Sequence, residues 1–182
     1  MATRNSDYER EERDAYYTPA EVIDCVVKKA VLPGVMWDPC EGKGAVRDRL
    51  SHWGFICYGS DIETGPDFLE TPTLPMPDVR GIVTNPPFNV AEDMIWHALG
   101  LLKPVQGLLA LLLPSVFDHG RTKRHLFELC PQFTGQIKLQ KRIVWFWPKD
   151  GSTPHPSEWH SWFVWNWRNL REPWVRYDKW PD

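Results

Sequence analysis

The sequence predicts an α/β fold built on a mostly parallel sheet. Three observations predict it: short apolar runs alternate with amphipathic stretches, a glycine turn joins the first run to a helix, and two aromatic runs close the chain. Thr18 and Glu21 form a capping-box pattern with Pro19 at the first helical position, so a helix is expected over 19–31. The apolar run 35–37 reads as the first strand and leads into Asp38-Pro39-Cys40-Glu41-Gly42-Lys43-Gly44-Ala45, a glycine turn. A helix over 45–53 follows and Gly54 stops it. A second strand, 55–60, ends at Asp61. Only five residues then separate Asp61 from Asp67. Strand 81–84, helix 91–102, strand 107–113 ended by Pro114, and helix 122–130 continue the alternation. Runs 136–147 and 157–167, joined by the polar loop 149–156, read as an antiparallel strand pair. One domain over 16–182 accounts for the length, preceded by a charged, loose segment 1–15.

The chemistry is concentrated in Asn85-Pro86-Pro87-Phe88, at the end of strand 81–84. An exocyclic amine on an aromatic ring delocalises its lone pair, and attacks only when acceptors take its N–H groups. Asn85 offers a side-chain oxygen and Pro86 a main-chain carbonyl. The Pro-Pro pair stiffens this stretch into an extended shape, which preorganises both acceptors. Phe88 offers a flat face for the ring being modified. The competing reading is a strand that ends in a Pro-Pro turn.

Upstream, Gly42 and Gly44 let the main chain approach a ligand, and the helix beyond presents its N–H groups to it. An acid at the tip of the second strand, here Asp61 followed by Ile62, commonly binds two ribose hydroxyls. These parts suit a nucleoside-bearing cofactor. The glycine pattern is neither GxGxxG nor a Walker loop, because Gly44 follows Lys43 where Ser or Thr would stand.

Together these residues resemble the S-adenosylmethionine-dependent amino methyltransferases, most closely the DNA adenine-N6 methyltransferases with the gamma-like motif order also seen in type I modification subunits. The resemblance implies a Rossmann-like class I methyltransferase fold with a shortened or absent third strand, and S-adenosylmethionine as cofactor. It implies that Tyr17-Thr18-Pro19 helps hold the methionine part, that Asp38, Pro39, Cys40, Glu41, Gly42 and Gly44 form the cofactor loop, and that Asp61 binds ribose. Asp67 and Phe68 match the element that touches adenine, against a turn acid and an ordinary core phenylalanine. The same resemblance places an aromatic on the target base after Lys141-Arg142, making Trp145 or Trp147 candidates. Core filling is the reading for Trp162, Trp165 and Trp167, and a structural role that for His160.

Net charge is −3, unusual for a dedicated nucleic-acid binder, so phosphate contacts must be local. Arg121, Lys123 and Arg124 form one basic cluster; Lys138, Lys141 and Arg142 form another. A solvated face is the competing reading for each. Cys25, Cys40, Cys57 and Cys130 lack metal-ligand spacing, so no metal is expected. Without an apolar leader or membrane-length run, the protein reads as cytoplasmic. The expected partner is nucleic acid, DNA before RNA, with a homodimer or a specificity subunit supplying what a separate recognition domain would. An RNA adenine-N6 methyltransferase, a protein glutamine-N5 methyltransferase and a non-catalytic partner subunit are the rival readings.

Overall fold

The structure is a computed structural model, and it describes residues 17–145, 156, 158–168 and 172–178. Helix α1 (Ala20–Lys29) precedes strand β1 (Val35–Asp38), helix α2 (Ala45–His52) and strand β2 (Ile56–Gly59). Strand β3 (Gly81–Thr84), helix α3 (Ala91–Leu102) and strand β4 (Leu108–Pro114) follow, then strands β5 (Phe133–Leu139), β6 (His160–Asn166) and β7 (Trp174–Asp178). The seven strands form one sheet in the order β2-β1-β3-β4-β6-β5-β7. All neighbours pair in parallel except at β6, which runs antiparallel to both β4 and β5.

Strand β4 explains the layering. Its run of leucines is buried on both faces because period-two alternation sends Leu109, Leu111 and Leu113 to the α3 side and Leu108, Ala110 and Leu112 to the α1 and α2 side. Strand β6 divides likewise, with Phe163 and Trp165 on one side and Trp162 and Val164 on the other. Of the tryptophans read as core, Trp162 and Trp165 are fully buried and Trp167 is partly buried against the core, and each indole finds an acceptor. Trp162 Nε1 donates to the Val22 carbonyl at 2.8 Å, Trp165 Nε1 to Leu126 at 2.8 Å and Trp167 Nε1 to Leu99 at 3.0 Å.

The edge beside β2 lacks a third strand, as the short interval after Asp61 predicts, and the stretch from β2 to β3 holds only a 3-10 turn, Phe68–Glu70. Other expectations are corrected. The segment 122–130 is not an α-helix but a 3-10 turn (Arg121–Lys123) continued by irregular turns. Trp165 takes the Leu126 carbonyl that a helix would give to Cys130, and Phe127 is wedged among Phe117, Phe133, Phe163 and Trp165. Tertiary packing has outweighed local periodicity. Strand β5 starts at Phe133, with a bulge at Gly135, and ends at Leu139 rather than continuing to 147. Strand β7 was absent from the sequence reading, because its parallel ladder to β5 is a non-local pairing with no local turn signal. The segment 1–15 lies outside the described residues. Among those described, no helix is long and apolar enough to cross a membrane.

Trp162 ties the antiparallel strand to α1. Trp162→Phe removes that hydrogen bond and buried volume, and is expected to lower the unfolding free energy by about 2–3 kcal/mol in urea titration.

Candidate active site

Strands β1, β2 and β3 run in parallel and release their chain at one edge of the sheet, which is where ligands bind in open α/β folds. The register pairs Trp37 with Ile82, so the polar residues that end both strands, Asp38 and Thr84-Asn85, come together. The glycine turn after β1 needs its glycines: Gly42 has φ 50° and Gly44 φ 82°, in the left-handed region. Asp61 locks this turn, accepting from Gly42 N at 2.9 Å and from Glu63 N at 3.0 Å. Glu41 N donates to the Ser60 carbonyl at 3.0 Å, and its carboxylate pairs with Arg47.

Two adjoining cavities result. The first, about 270 Å³, is lined by Thr18, Asp38, Gly42, Glu41 and Asn85, with Pro86, Pro87 and Phe88 on its far wall and the exposed Tyr17 at its edge. The second, about 300 Å³, is largely apolar, lined by Ile62, Phe68, Leu69, Val90 and Met94, together with Pro39 and Asp67. Cys40, Gly42, Asp61 and Pro87 belong to both, so Asp61 stands where the cavities meet. Leu69 follows the Asp67-Phe68 pair; Val90 and Met94 are not singled out in the sequence, and they sit on the 3-10 turn Phe88–Val90 and on α3, whose proximity only the fold provides. Asp67 accepts from Leu69 N at 2.9 Å and so caps its turn. Phe68 is buried, edge-on to Trp37 at 5.2 Å and to His97 at 5.0 Å. Both residues are structural and both line the cavity.

Buried polar atoms without partners mark the first cavity. Asp38 Oδ2 and Asn85 Oδ1, on residues that line it, are inaccessible and lack an aligned hydrogen-bond partner, as do Thr84 Oγ1 next to Asn85 in the chain and Asp118 Oδ1 outside the cavity. Burial pushes the Asp38 carboxyl up to about 7, with the Thr84 hydroxyl and the Cys40 N–H offsetting part of that rise. Burial likewise pushes the Cys40 thiol up to about 12, so it is an uncharged wall at neutral pH. Asn85 Nδ2 donates to Thr18 Oγ1 at 3.3 Å. This corrects the capping-box expectation: the helix N-cap is Pro19 with no side-chain cap, and the Thr18 hydroxyl turns to the catalytic candidate instead.

Aromatic rings flank the far wall. Phe88, 39% exposed, lies 5.7 Å from the His160 ring, which in turn lies 5.3 Å edge-on from Trp145. The His160 Nδ1 meets the Glu158 carbonyl at 2.8 Å, so it carries the hydrogen, and burial holds the ring's pKa below its ordinary value. His160 is thus a satisfied histidine, yet it also joins Phe88 to Trp145; its pairing with Pro114 at the end of β4 is what brings it there. Trp147 lies outside the described residues.

The basic cluster is largely engaged. Lys123 pairs with Glu92 and lies 4.9 Å over the Phe117 ring, while Arg124 holds Glu128 through two bonds of 2.6 and 2.7 Å. Arg121 is exposed beside them. Arg142 lies 5.7 Å from the half-exposed Trp159 ring, near the aromatic flank.

No protein-family model matches the sequence, and no curated protein matches it. The fold is the Rossmann-like class I methyltransferase fold. A Listeria monocytogenes protein assigned as a class I S-adenosylmethionine-dependent methyltransferase superposes with a TM-score of 0.53 at 15% identity, covering 87% of this chain and 61% of its own. A Vibrio vulnificus YJ016 protein assigned as a modification subunit of a type I restriction enzyme superposes with a TM-score of 0.55 at 16% identity, covering 92% and 48% respectively. The chain therefore spans roughly half to three-fifths of the length of these structures.

Asp38 gives a pH signature. Its folded pKa is raised, so ionising it opposes folding: stability falls as pH rises from about 4, the unfolded value, to about 7 and is level above. Asp38→Asn is expected to remove that slope, making the variant the more stable by about 4 kcal/mol at pH 8 and equal near pH 3. Urea unfolding across pH measures it; parallel pH profiles would refute the raised pKa.

Proposed function

We propose that this chain transfers a methyl group from S-adenosylmethionine to the exocyclic N6 amine of adenine in DNA. The observation that carries the reading is Asn85 Oδ1, a buried oxygen without a partner on a residue lining the first cavity. Leaving an acceptor unmet costs roughly 1–3 kcal/mol, so a ligand N–H that fills the place is rewarded at the atom where an amine must be aimed.

The residues present fit the cofactor. The orphaned Asp38 Oδ2 suits the ammonium of its amino-acid end. Asp61, at the junction of the cavities, retains lone pairs for ribose hydroxyls beside its two N–H bonds. Phe68, Leu69, Val90 and Met94 offer the apolar slot an adenine ring needs. When bound, S-adenosylmethionine supplies an electrophilic methyl that an amine lone pair takes directly, with no covalent enzyme intermediate.

The chain's own residues supply position. Asn85 Oδ1 and the Pro86 carbonyl accept the two amine hydrogens, and the extended Pro87 (φ −60°, ψ 123°) holds them at a fixed spacing. Phe88 stacks on the base, with His160 and Trp145 supporting that flank. A duplex target must leave its stack at a cost of a few kcal/mol, which aromatic stacking offsets. The fold likeness to a modification subunit supports a nucleic-acid target, with recognition supplied by a partner subunit or by a short loop within 115–125 or 148–157, most of the latter outside the described residues.

Incubation with labelled S-adenosylmethionine and a panel of single-stranded DNA, duplex DNA, RNA and protein, followed by nucleoside analysis, should give N6-methyladenine in DNA. Label confined to RNA or protein would overturn the substrate. Asn85→Ala should keep cofactor affinity by calorimetry and lose transfer by at least about 100-fold. Asp61→Ala should weaken cofactor binding about tenfold or more, and an unchanged dissociation constant excludes the ribose role.

A further inference from the structure

We propose that Thr18 is a positioning residue that makes the orientation of the Asn85 amide depend on the bound cofactor, an inference that rests on the methyltransferase reading above. A primary amide can present either its oxygen or its nitrogen to the same neighbour, and only the hydrogen bonds around it select one flip. Methyl transfer needs one of them, with Oδ1 turned to the substrate amine.

The neighbour that selects is a hydroxyl, and a hydroxyl alone is indifferent. Thr18 Oγ1 can accept from Nδ2 or donate to Oδ1. In the structure it accepts from Nδ2 at 3.3 Å, and Oδ1 is left buried without a partner. The opposite flip would satisfy Oδ1 with the Thr18 proton, so without a ligand the flip useful for transfer has a rival. Thr18 is only 2% exposed, and what it does expose borders the first cavity. It is also not committed to capping α1, whose N-cap is Pro19 without a side-chain bond.

A ligand acceptor beside Thr18 removes the ambiguity. Thr18 lines the same cavity as Asp38, whose orphaned oxygen suits an ammonium, and the amino-acid end of the cofactor carries a carboxylate next to that ammonium. Once the Thr18 proton is given to the carboxylate, its oxygen can only accept. Nδ2 must then face Thr18 and Oδ1 must face the substrate. Loading the methyl donor thereby sets the acceptor that aims the amine, and an empty enzyme does not hold the base in reactive geometry.

The test follows the Asn85 side-chain amide by NMR in asparagine-labelled protein, its signal assigned by its loss in Asn85→Asp. S-adenosylhomocysteine, which carries the amino-acid end but no transferable methyl, should shift and sharpen that signal in the wild-type protein. 5′-Methylthioadenosine, the nucleoside without the amino-acid end, should bind and leave it unmoved; equal responses to the two would overturn the proposal without any variant. Thr18→Val should abolish the response and lower kcat at least tenfold while KM for DNA changes less than threefold, and Thr18→Ser should restore both. An undiminished kcat in Thr18→Val, or a wild-type response retained there, refutes the role. If the wild-type protein binds neither probe by calorimetry, the methyltransferase reading itself falls; binding with an unresponsive Asn85 removes only the role of Thr18.

Discussion

The site depends on the register of two short parallel strands. Pairing Met36 with Gly81 and Trp37 with Ile82 makes β1 and β3 end within a residue of each other, so Asp38 and Asn85 leave the sheet at the same edge and line one cavity. A register slip of one residue would turn each side chain to the opposite face and bury a different set. Leucine-rich β4, covered on both faces, and the tryptophans of β6 hold that register from the other side. The core thus fixes the place where polar atoms are left without partners.

Those atoms set Asn85 apart from the asparagine of a simple strand end. A Pro-Pro turn that merely closed a strand would leave its asparagine in water, whereas here Asn85 Oδ1, Thr84 Oγ1 and Asp38 Oδ2 are all enclosed. Buried polar groups in folded proteins almost always find partners, and two of the exceptions, Asp38 Oδ2 and Asn85 Oδ1, belong to residues that line the first cavity. The raised Asp38 carboxyl belongs to the same arrangement, since burial, reinforced by the charges of Glu41 and Asp61, disfavours its ionised form. Asp61 is the opposite case: both of its oxygens accept a main-chain N–H, which fixes it between the cavities.

Much of the fold was legible because its signals are local. Gly42 and Gly44 announced a tight turn and adopt positive φ; Pro114 ends β4; and the short interval between Asp61 and Asp67 announced a missing strand. Signals failed where distant contacts overrule local ones. The run 122–130 has helical periodicity, but Trp165 takes the Leu126 carbonyl and Phe127 is drawn into an aromatic cluster. Thr18 and Glu21 spell a capping box, yet the Thr18 hydroxyl meets Asn85, 67 residues away along the chain. The basic run 121–124 looked free for phosphate, and Glu92 and Glu128 engage two of its cations.

By itself the sequence determined the chemical repertoire: an amide, two prolines and an aromatic ring in succession, a glycine turn, and acids at two strand ends. Residue types and short spacings are enough for that, because turn geometry and acceptor chemistry are properties of neighbouring residues. The tertiary structure alone decided which of these groups meet. It divided the candidate site into two cavities that meet at Asp61, seated His160 between Phe88 and Trp145, and gave Thr18 to Asn85. Strand register and burial join residues far apart in the chain, and neither is written in any short stretch of it.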